Sequence, residues 1–210
     1  ITQAKYPKDI ALTLELLLIF TVLSLAPSII MMLTAYTRVF IVLSFVERAL
    51  GLQQLPPRQI LAGMSMFLTF YIMAPTFTKI YYGAAVPFYN QEVPTRVAYS
   101  KTMHELRDFM FRQTREKDLA LFFRLSSTPA PKSRGGVPTH VLVPAFMLSE
   151  MKTAFTMGIL IYIPFIVIDM VVASILMSMG MMMLPPAMIS LPLKVLIFVL
   201  VNGWDLLAYS

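Results

Sequence analysis

Apolar residues fall along this chain in long, nearly charge-free runs, separated by short stretches dense in charge and proline. Residues 10–33, IALTLELLLIFTVLSLAPSIIMML, carry one charge, Glu15, and one proline, Pro27. About 20 consecutive apolar residues suffice for a helix to cross a bilayer, so this run is predicted as a membrane helix. A second apolar stretch, 39–46, lies between Arg38 and the Glu47–Arg48 pair. Gly51 and the following QQLPPRQ should end it, a glycine stop followed by prolines that cannot continue a helix. The third run, 59–78, has no charge, sits between Arg58 and Lys79, and is expected to end at Pro75. From residue 141 onward the chain is apolar again, cut by Pro144, Pro164, Pro185, Pro186 and Pro192 into pieces of about 145–163, 165–184 and 193–208. The first two pieces can form one kinked helix. MMMLPP then reads as the turn of a hairpin whose last piece returns alongside.

The middle breaks this pattern. Residues 91–140 hold nine basic and five acidic residues, half of the chain's charges. Thr102 and Glu105 read as a capping box. Leu106, Phe109 and Met110 follow at helical spacing, and Asp108 precedes Arg112 by four, a favourable pair. This predicts an amphipathic helix, then a short one over 119–125, then a loop at SSTPAPKSRGG, 126–136. The expected organisation is therefore an apolar helical half, 1–90, a polar helical segment, 91–140, and an apolar helical hairpin, 141–210. The fold class is all-α: membrane-associated helical hairpins with proline-broken apolar helices and a small polar helical segment between them.

Composition narrows the class. Of the 210 residues, 58% are hydrophobic and 13% charged, about half the charged share of an ordinary soluble domain. Mean hydropathy is +0.73. The net charge of +6 then bears on topology and lipid contact before nucleic acid. RQTREKD is mixed in sign and lacks interleaved aromatics, so no nucleic-acid partner is expected. With no cysteine and only His104 and His140, far apart in sequence, no metal or thiol chemistry is readable. No phosphate loop or nucleophile elbow appears, and neither cofactor nor enzymatic activity is expected. The chain begins at Ile1; a cleaved signal peptide is one explanation and an arbitrary boundary another.

The charges inside apolar runs are the candidate site: Arg38, Glu150, Lys152, Asp169 and Lys194. Such charges face protein or water and are paired. They can form a proton relay or ion pathway, or salt bridges that fix helix register. Glu150 and Lys194 are the expected pair, in opposite arms of the C-terminal hairpin. Asp169 has no evident partner. Ala154 and Gly158 make a small-xxx-small step that permits close helix approach. Met181, Met182 and Met183 are packing residues on one reading. On the other they use methionine's flexible, polarizable side chain to yield to changing partners. Positive-inside votes conflict, with Arg38, Arg48 and Arg58 on one side of the 59–78 run and the basic middle on the other. The charges inside the proline-broken apolar runs point to hairpins that bury one face against other subunits.

Several blocks resemble one family: TRVFIVLSFVERALGLQQLPPRQILAGMSMFLTFYIMAP (37–75), VPAFMLSEMKTAFTMGILIYIPFIVIDMVVASILMSMGMMMLPP (143–186), ISLPLKVLIFVLVNGWDLL (189–207) and RQTREKDLALF (112–122). They are similar to the FliP/SctR family of type III secretion export-gate proteins. The resemblance implies a pore-forming subunit of the flagellar export gate in the bacterial inner membrane. Its implied partners are FliQ-like and FliR-like subunits, further FliP-like copies in a pentamer, membrane lipid, and exported flagellar proteins in transit. Part of the assembly would be raised toward the periplasmic side of the flagellar basal body. The resemblance makes Met181, Met182 and Met183 a pore gasket and Glu150 and Lys194 an inter-subunit charge pair. The competing reading is an ion channel or proton-coupled transporter using Asp169, Glu150 and Lys194; the size and composition of the extracted complex separates the two. A membrane hydrolase lacks a nucleophile–base set.

Overall fold

A computed structural model describes residues 7–52, 57–126, 129, 131, 133–181 and 184–209, and their regular structure is helical throughout. Helix α1, Pro7–Leu33, runs unbroken through Pro27. After a two-residue turn, α2 covers Tyr36–Ala49. Helix α3, Arg58–Ile80, does not stop at Pro75 as expected. It passes the proline, widens into a π-helical turn at Tyr81–Ala85, and ends in the short α4, Val86–Tyr89. An internal proline removes one backbone donor but need not end a helix whose flanking turns are held.

The polar middle forms α5, Thr95–Gln113, and α6, Glu116–Leu125. The expected capping box is not a cap. Helix α5 begins seven residues before Thr102, just after Pro94, whose fixed backbone suits a helix start. Thr102 instead donates its hydroxyl to the Ala98 carbonyl at 2.9 Å, one turn back inside the helix. The Asp108–Arg112 pair does form, at 2.7 Å.

After a short 3-10 turn at Arg134–Gly136, α7 runs over Thr139–Ser178. Its 40 residues include Pro144 and Pro164, so the two expected pieces are one helix. It is about 60 Å long, twice the hydrocarbon thickness of a bilayer. Helix α7 stops in a left-handed glycine turn. Gly180 has φ +74°, with the Gly180 N–H bonded to the Met177 carbonyl and the Met181 N–H to the Leu176 carbonyl. Gly51 ends α2 the same way, with φ +74° and bonds back to Arg48 and Glu47. A side chain at either position would meet its own backbone. Helix α8, Pro186–Leu200, then returns along α7, and α9, Gly203–Tyr209, follows at a bend of 62°.

Helix α7 is the spine. Helix α2 lays Val39, Leu43 and Val46 inward at helical spacing. Where it crosses α7, a Cβ on Gly158 would lie 2.5 Å from the Phe45 ring, so only glycine permits this approach. Buried Ala154 sits one turn earlier, and the small-residue step is a real contact face. One core joins α3, α5, α6 and α7 through Met73, Phe109, Met110, Phe123, Leu142 and Phe146, with Phe109 edge-on to Phe146 at 5.9 Å. A second joins α2, α7 and α8 through Val46, Leu50, Phe165 and Phe198.

Much of the remaining apolar surface is bare. Residues 11–32 of α1 are exposed almost without exception, and so is the outer face of α7 from Ile159 to Val171. Water-soluble monomers rarely expose apolar patches beyond a few hundred Å². Three helical stretches, Ala11–Leu33, Arg58–Tyr89 and Thr139–Ser178, are long and apolar enough to cross a membrane, and α8 with α9 makes a fourth if the bent pair is one span.

Candidate functional site

The charges singled out from the sequence lie along α7 in three groups. In the first, Glu150 projects from α7 toward α2 and is 1% exposed. Arg38 of α2 brings Nε to 3.4 Å from Glu150 Oε2, and its Nη1 donates to Gln113 Oε1 at the end of α5 at 3.1 Å. The approach to Glu150 is close enough for attraction but makes no aligned hydrogen bond. Among the described residues, Glu150 Oε2 is a buried side-chain oxygen left without a donor.

The second group lies at the same level of α7, on an adjoining face. Ser149, fully buried, accepts the backbone N–H of Arg115 at 3.0 Å and donates to Asp118 Oδ2 at 2.7 Å. Lys152 donates to the other carboxylate oxygen of Asp118. Arg115 reaches Thr153 Oγ1 at 3.1 Å. Asp118 is 2% exposed and stands in the first turn of α6, where a negative charge favours the helix dipole. Burial works to raise its pKa. The hydrogen bonds from Lys152 and Ser149, with the charges of Lys152 and Arg115, outweigh that and hold the carboxyl below its ordinary value of 3.8. Asp118 and Ser149 were not picked out from sequence. Asp118 lay in RQTREKD, a stretch that read only as mixed in sign within the polar segment, and a lone serine carries no signal.

The third group ties the hairpin. Lys194 of α8 donates to Asp169 Oδ2 at 2.6 Å, and buried Ser190 donates to Asp169 Oδ1 at 2.6 Å. Within the chain, then, Glu150 and Lys194 have other partners. The reason is register. Glu150 and Asp169 are 19 residues apart on one helix, about 28 Å along its axis. Gly180 marks the turn, and the return arm meets α7 at Asp169, well short of Glu150. Asp169, 11 residues before Gly180, and Lys194, 14 after it, are the pair that the hairpin brings together.

The turn presents Met181, which is 43% exposed. Met182 and Met183 lie outside the described residues. Among the described residues no group of three His, Cys, Asp or Glu is placed to hold a metal ion.

Paired charges seated on a 40-residue spine, with unshielded apolar helices around them, define an all-α protein of membrane type. The paired charges on that spine each join α7 to another helix. The FliP family model matches residues 19–210, and the chain belongs to the FliP family. It is 51% identical over 204 residues to the flagellar biosynthetic protein FliP of Bacillus subtilis, covering 97% of this chain and 92% of that one. It is 48% identical over 209 residues to FliP of Treponema pallidum, covering 99% and 77%. It is 44% identical over 200 residues to FliP of Aquifex aeolicus, covering 94% and 84%.

Proposed function

We propose that this chain is a pore-forming subunit of the flagellar type III protein export gate and not an enzyme. It assembles with further copies of itself and with FliQ-like and FliR-like subunits in the bacterial inner membrane, partly raised toward the periplasmic side. Exported flagellar proteins pass through the assembly unfolded. The observation that carries the reading is the combination of near-full-length similarity to flagellar biosynthetic FliP proteins with apolar helix faces that the chain leaves uncovered. Such faces are stable only against lipid or other subunits.

Within that assembly, Met181, Met182 and Met183 form a gasket. Gly180 closes α7 and Pro185 precedes α8, and Met181 is exposed at the turn that leaves α7. Repeating the turn around an axis makes a ring of thioethers. An apolar constriction blocks water and ions by dewetting, and flexible methionine repacks around passing chains of varied size. Glu150 pairs across a subunit boundary with Lys194 of a neighbouring copy. Two facts support this: Glu150 Oε2 lacks a donor among the described residues, and an ammonium has three N–H groups, of which Asp169 accepts one.

The deciding experiment replaces all three methionines with alanine and reads assembly and leakage together. An assembled complex that passes small ions or dyes supports the gasket. A complex that assembles and stays tight makes the methionines simple packing. Recovery of the chain only as a stable monomer overturns the export-gate reading itself.

A further inference from the structure

Helix α8 is too short to cross a bilayer. Its 15 residues rise about 22 Å, against a hydrocarbon core of about 30 Å. Joined straight to α9 it would suffice, but the chain turns by 62° between them. The turn is held in place by packing. Asn202 takes a left-handed backbone, φ +51°, and its carbonyl accepts the Asp205 N–H at 2.9 Å, which restarts the helix on a new axis. A Cβ on Gly203 would lie 2.3 Å from the Phe198 ring. Phe198 in turn meets Trp204 edge-on at 5.2 Å and leans on Phe165 of α7 at 6.4 Å. Straightening the pair would break this packing.

The level at which α9 leaves is a boundary. Leu160, Ile161 and Pro164 of α7 and Gly203, Leu206 and Leu207 of α9 line one apolar cavity of about 320 Å³, so α9 lies beside the middle of the spine. Before that level, Ser149 and Lys152 hold Asp118 of the polar helix α6. After it, Ile163, Val167, Met170 and Ile175 are bare. From Ile161 to the end of α7 at Ser178 the rise is about 26 Å, close to the hydrocarbon thickness. Helix α9 therefore stands at the rim of the bare half of α7, on the side of the polar helices.

Its side chains suit that place. Gly203 and Leu207 turn inward, while Trp204, Asp205 and Tyr209 are exposed, Tyr209 at 92%. Tryptophan and tyrosine gather where acyl chains meet water, because an apolar ring carries an N–H or O–H that needs a partner. Asp205 makes no ion pair among the described residues, and an unpaired carboxylate is disfavoured at the bilayer centre.

We infer that α9 is not the end of a membrane span but lies in the headgroup layer of the bilayer, on the side of the polar helices. The rings of Trp204 and Tyr209 rest on the upper acyl chains. The indole N–H, the phenol O–H and the Asp205 carboxylate meet headgroups and water. The inference rests on the membrane placement proposed above and is independent of export.

The test uses the full chain, which has no cysteine, in its assembled complex with cysteine-free partner subunits. Ala208→Cys and Met170→Cys, both at exposed positions, are made singly and labelled with bimane in phosphatidylcholine vesicles. The vesicles carry a nitroxide quencher either on the lipid headgroup or near the end of an acyl chain. The Ala208 label should lose most of its fluorescence to the headgroup nitroxide and little to the deep one. The Met170 label should show the reverse order. Asp205→Leu with Tyr209→Phe leaves the Phe198 packing in place and should shift quenching of the Ala208 label toward the deep nitroxide. Size exclusion confirms that each variant assembles. Strongest quenching of the Ala208 label by the deep nitroxide overturns the inference and makes α9 the end of a span. An Ala208 label shielded from both nitroxides while Met170 is quenched also overturns it, and assigns α9 to a neighbouring subunit or to open water. If neither label responds to either nitroxide, the membrane placement itself fails, and the inference with it.

Discussion

Lys194 of α8 reaches Asp169 of α7 at 2.6 Å, and this contact sets the register of the C-terminal hairpin. Lys194 is nearly buried while the Asp169 side chain is 40% exposed, so the lysine has more to lose. Lys194→Met should be tolerated better than Asp169→Asn, because it removes the buried charge and leaves a part-solvated carboxylate. Asp169→Asn strands a buried ammonium, at a cost on the order of 3 kcal/mol. Thermal unfolding in detergent ranks the two. The opposite order would show that the pair is not buried in the assembled protein.

The proposed contact between Glu150 and the neighbouring Lys194 is open to a clean covalent test, because the chain has no cysteine. Glu150→Cys with Lys194→Cys, treated with a thiol-to-thiol cross-linker that spans the reach of a Glu–Lys pair, should give linked dimers and higher ladders on gels, since cysteine side chains alone reach only across Cα separations below about 7 Å. Within one chain the two positions are too far apart to bridge, so an intramolecular product is not expected. Absence of linked species in an assembled complex refutes the inter-subunit pair.

Asp118 holds the polar helices to the spine. Asp118→Asn should weaken that junction by about 1–3 kcal/mol, seen as faster proteolysis at the 126–136 loop. Ser149→Ala should act in the same direction. The pH dependence follows from the lowered pKa. A carboxyl whose folded value is below its unfolded value stabilises the fold above the unfolded value, near 3.8. That stability is lost as pH falls through the folded value. Wild type should therefore show an acid-dependent loss of the junction below about pH 4 that Asp118→Asn lacks. Parallel acid profiles would assign the junction to packing alone.

Gly158 leaves no room for a side chain under Phe45. Gly158→Ala should force α2 and α7 apart and destabilise by about 1–3 kcal/mol. Phe45→Ala in the same chain should recover part of the loss in Tm. No recovery would mean that the helices resist separation elsewhere along their contact.

The long apolar runs by themselves determined the fold class. Bilayer thickness and helix rise leave few alternatives for a run such as 10–33, and glycine stops at Gly51 and Gly180 are local events that need no partner. The chain's similarity to FliP proteins was equally legible, since blocks from residue 37 to 207 carry it. Helix ends at Pro75 and Thr102 were misread because local chemistry competes there with tertiary support. Pro75 disfavours a helix, but packing of Met73 and Thr76 on either side keeps α3 going. Thr102 has capping chemistry, but Pro94 starts the helix first. Charge pairing was the least legible feature. Which carboxylate meets which cation depends on hairpin register and on the crossing of α2 over α7. These follow from side chains meeting across helices, such as Phe45 on Gly158, which are distant in sequence. Only the tertiary structure could give Asp169 to Lys194 and Arg38 to Glu150, and bring Asp118, which looked solvent-facing, into a buried contact with Ser149 and Lys152.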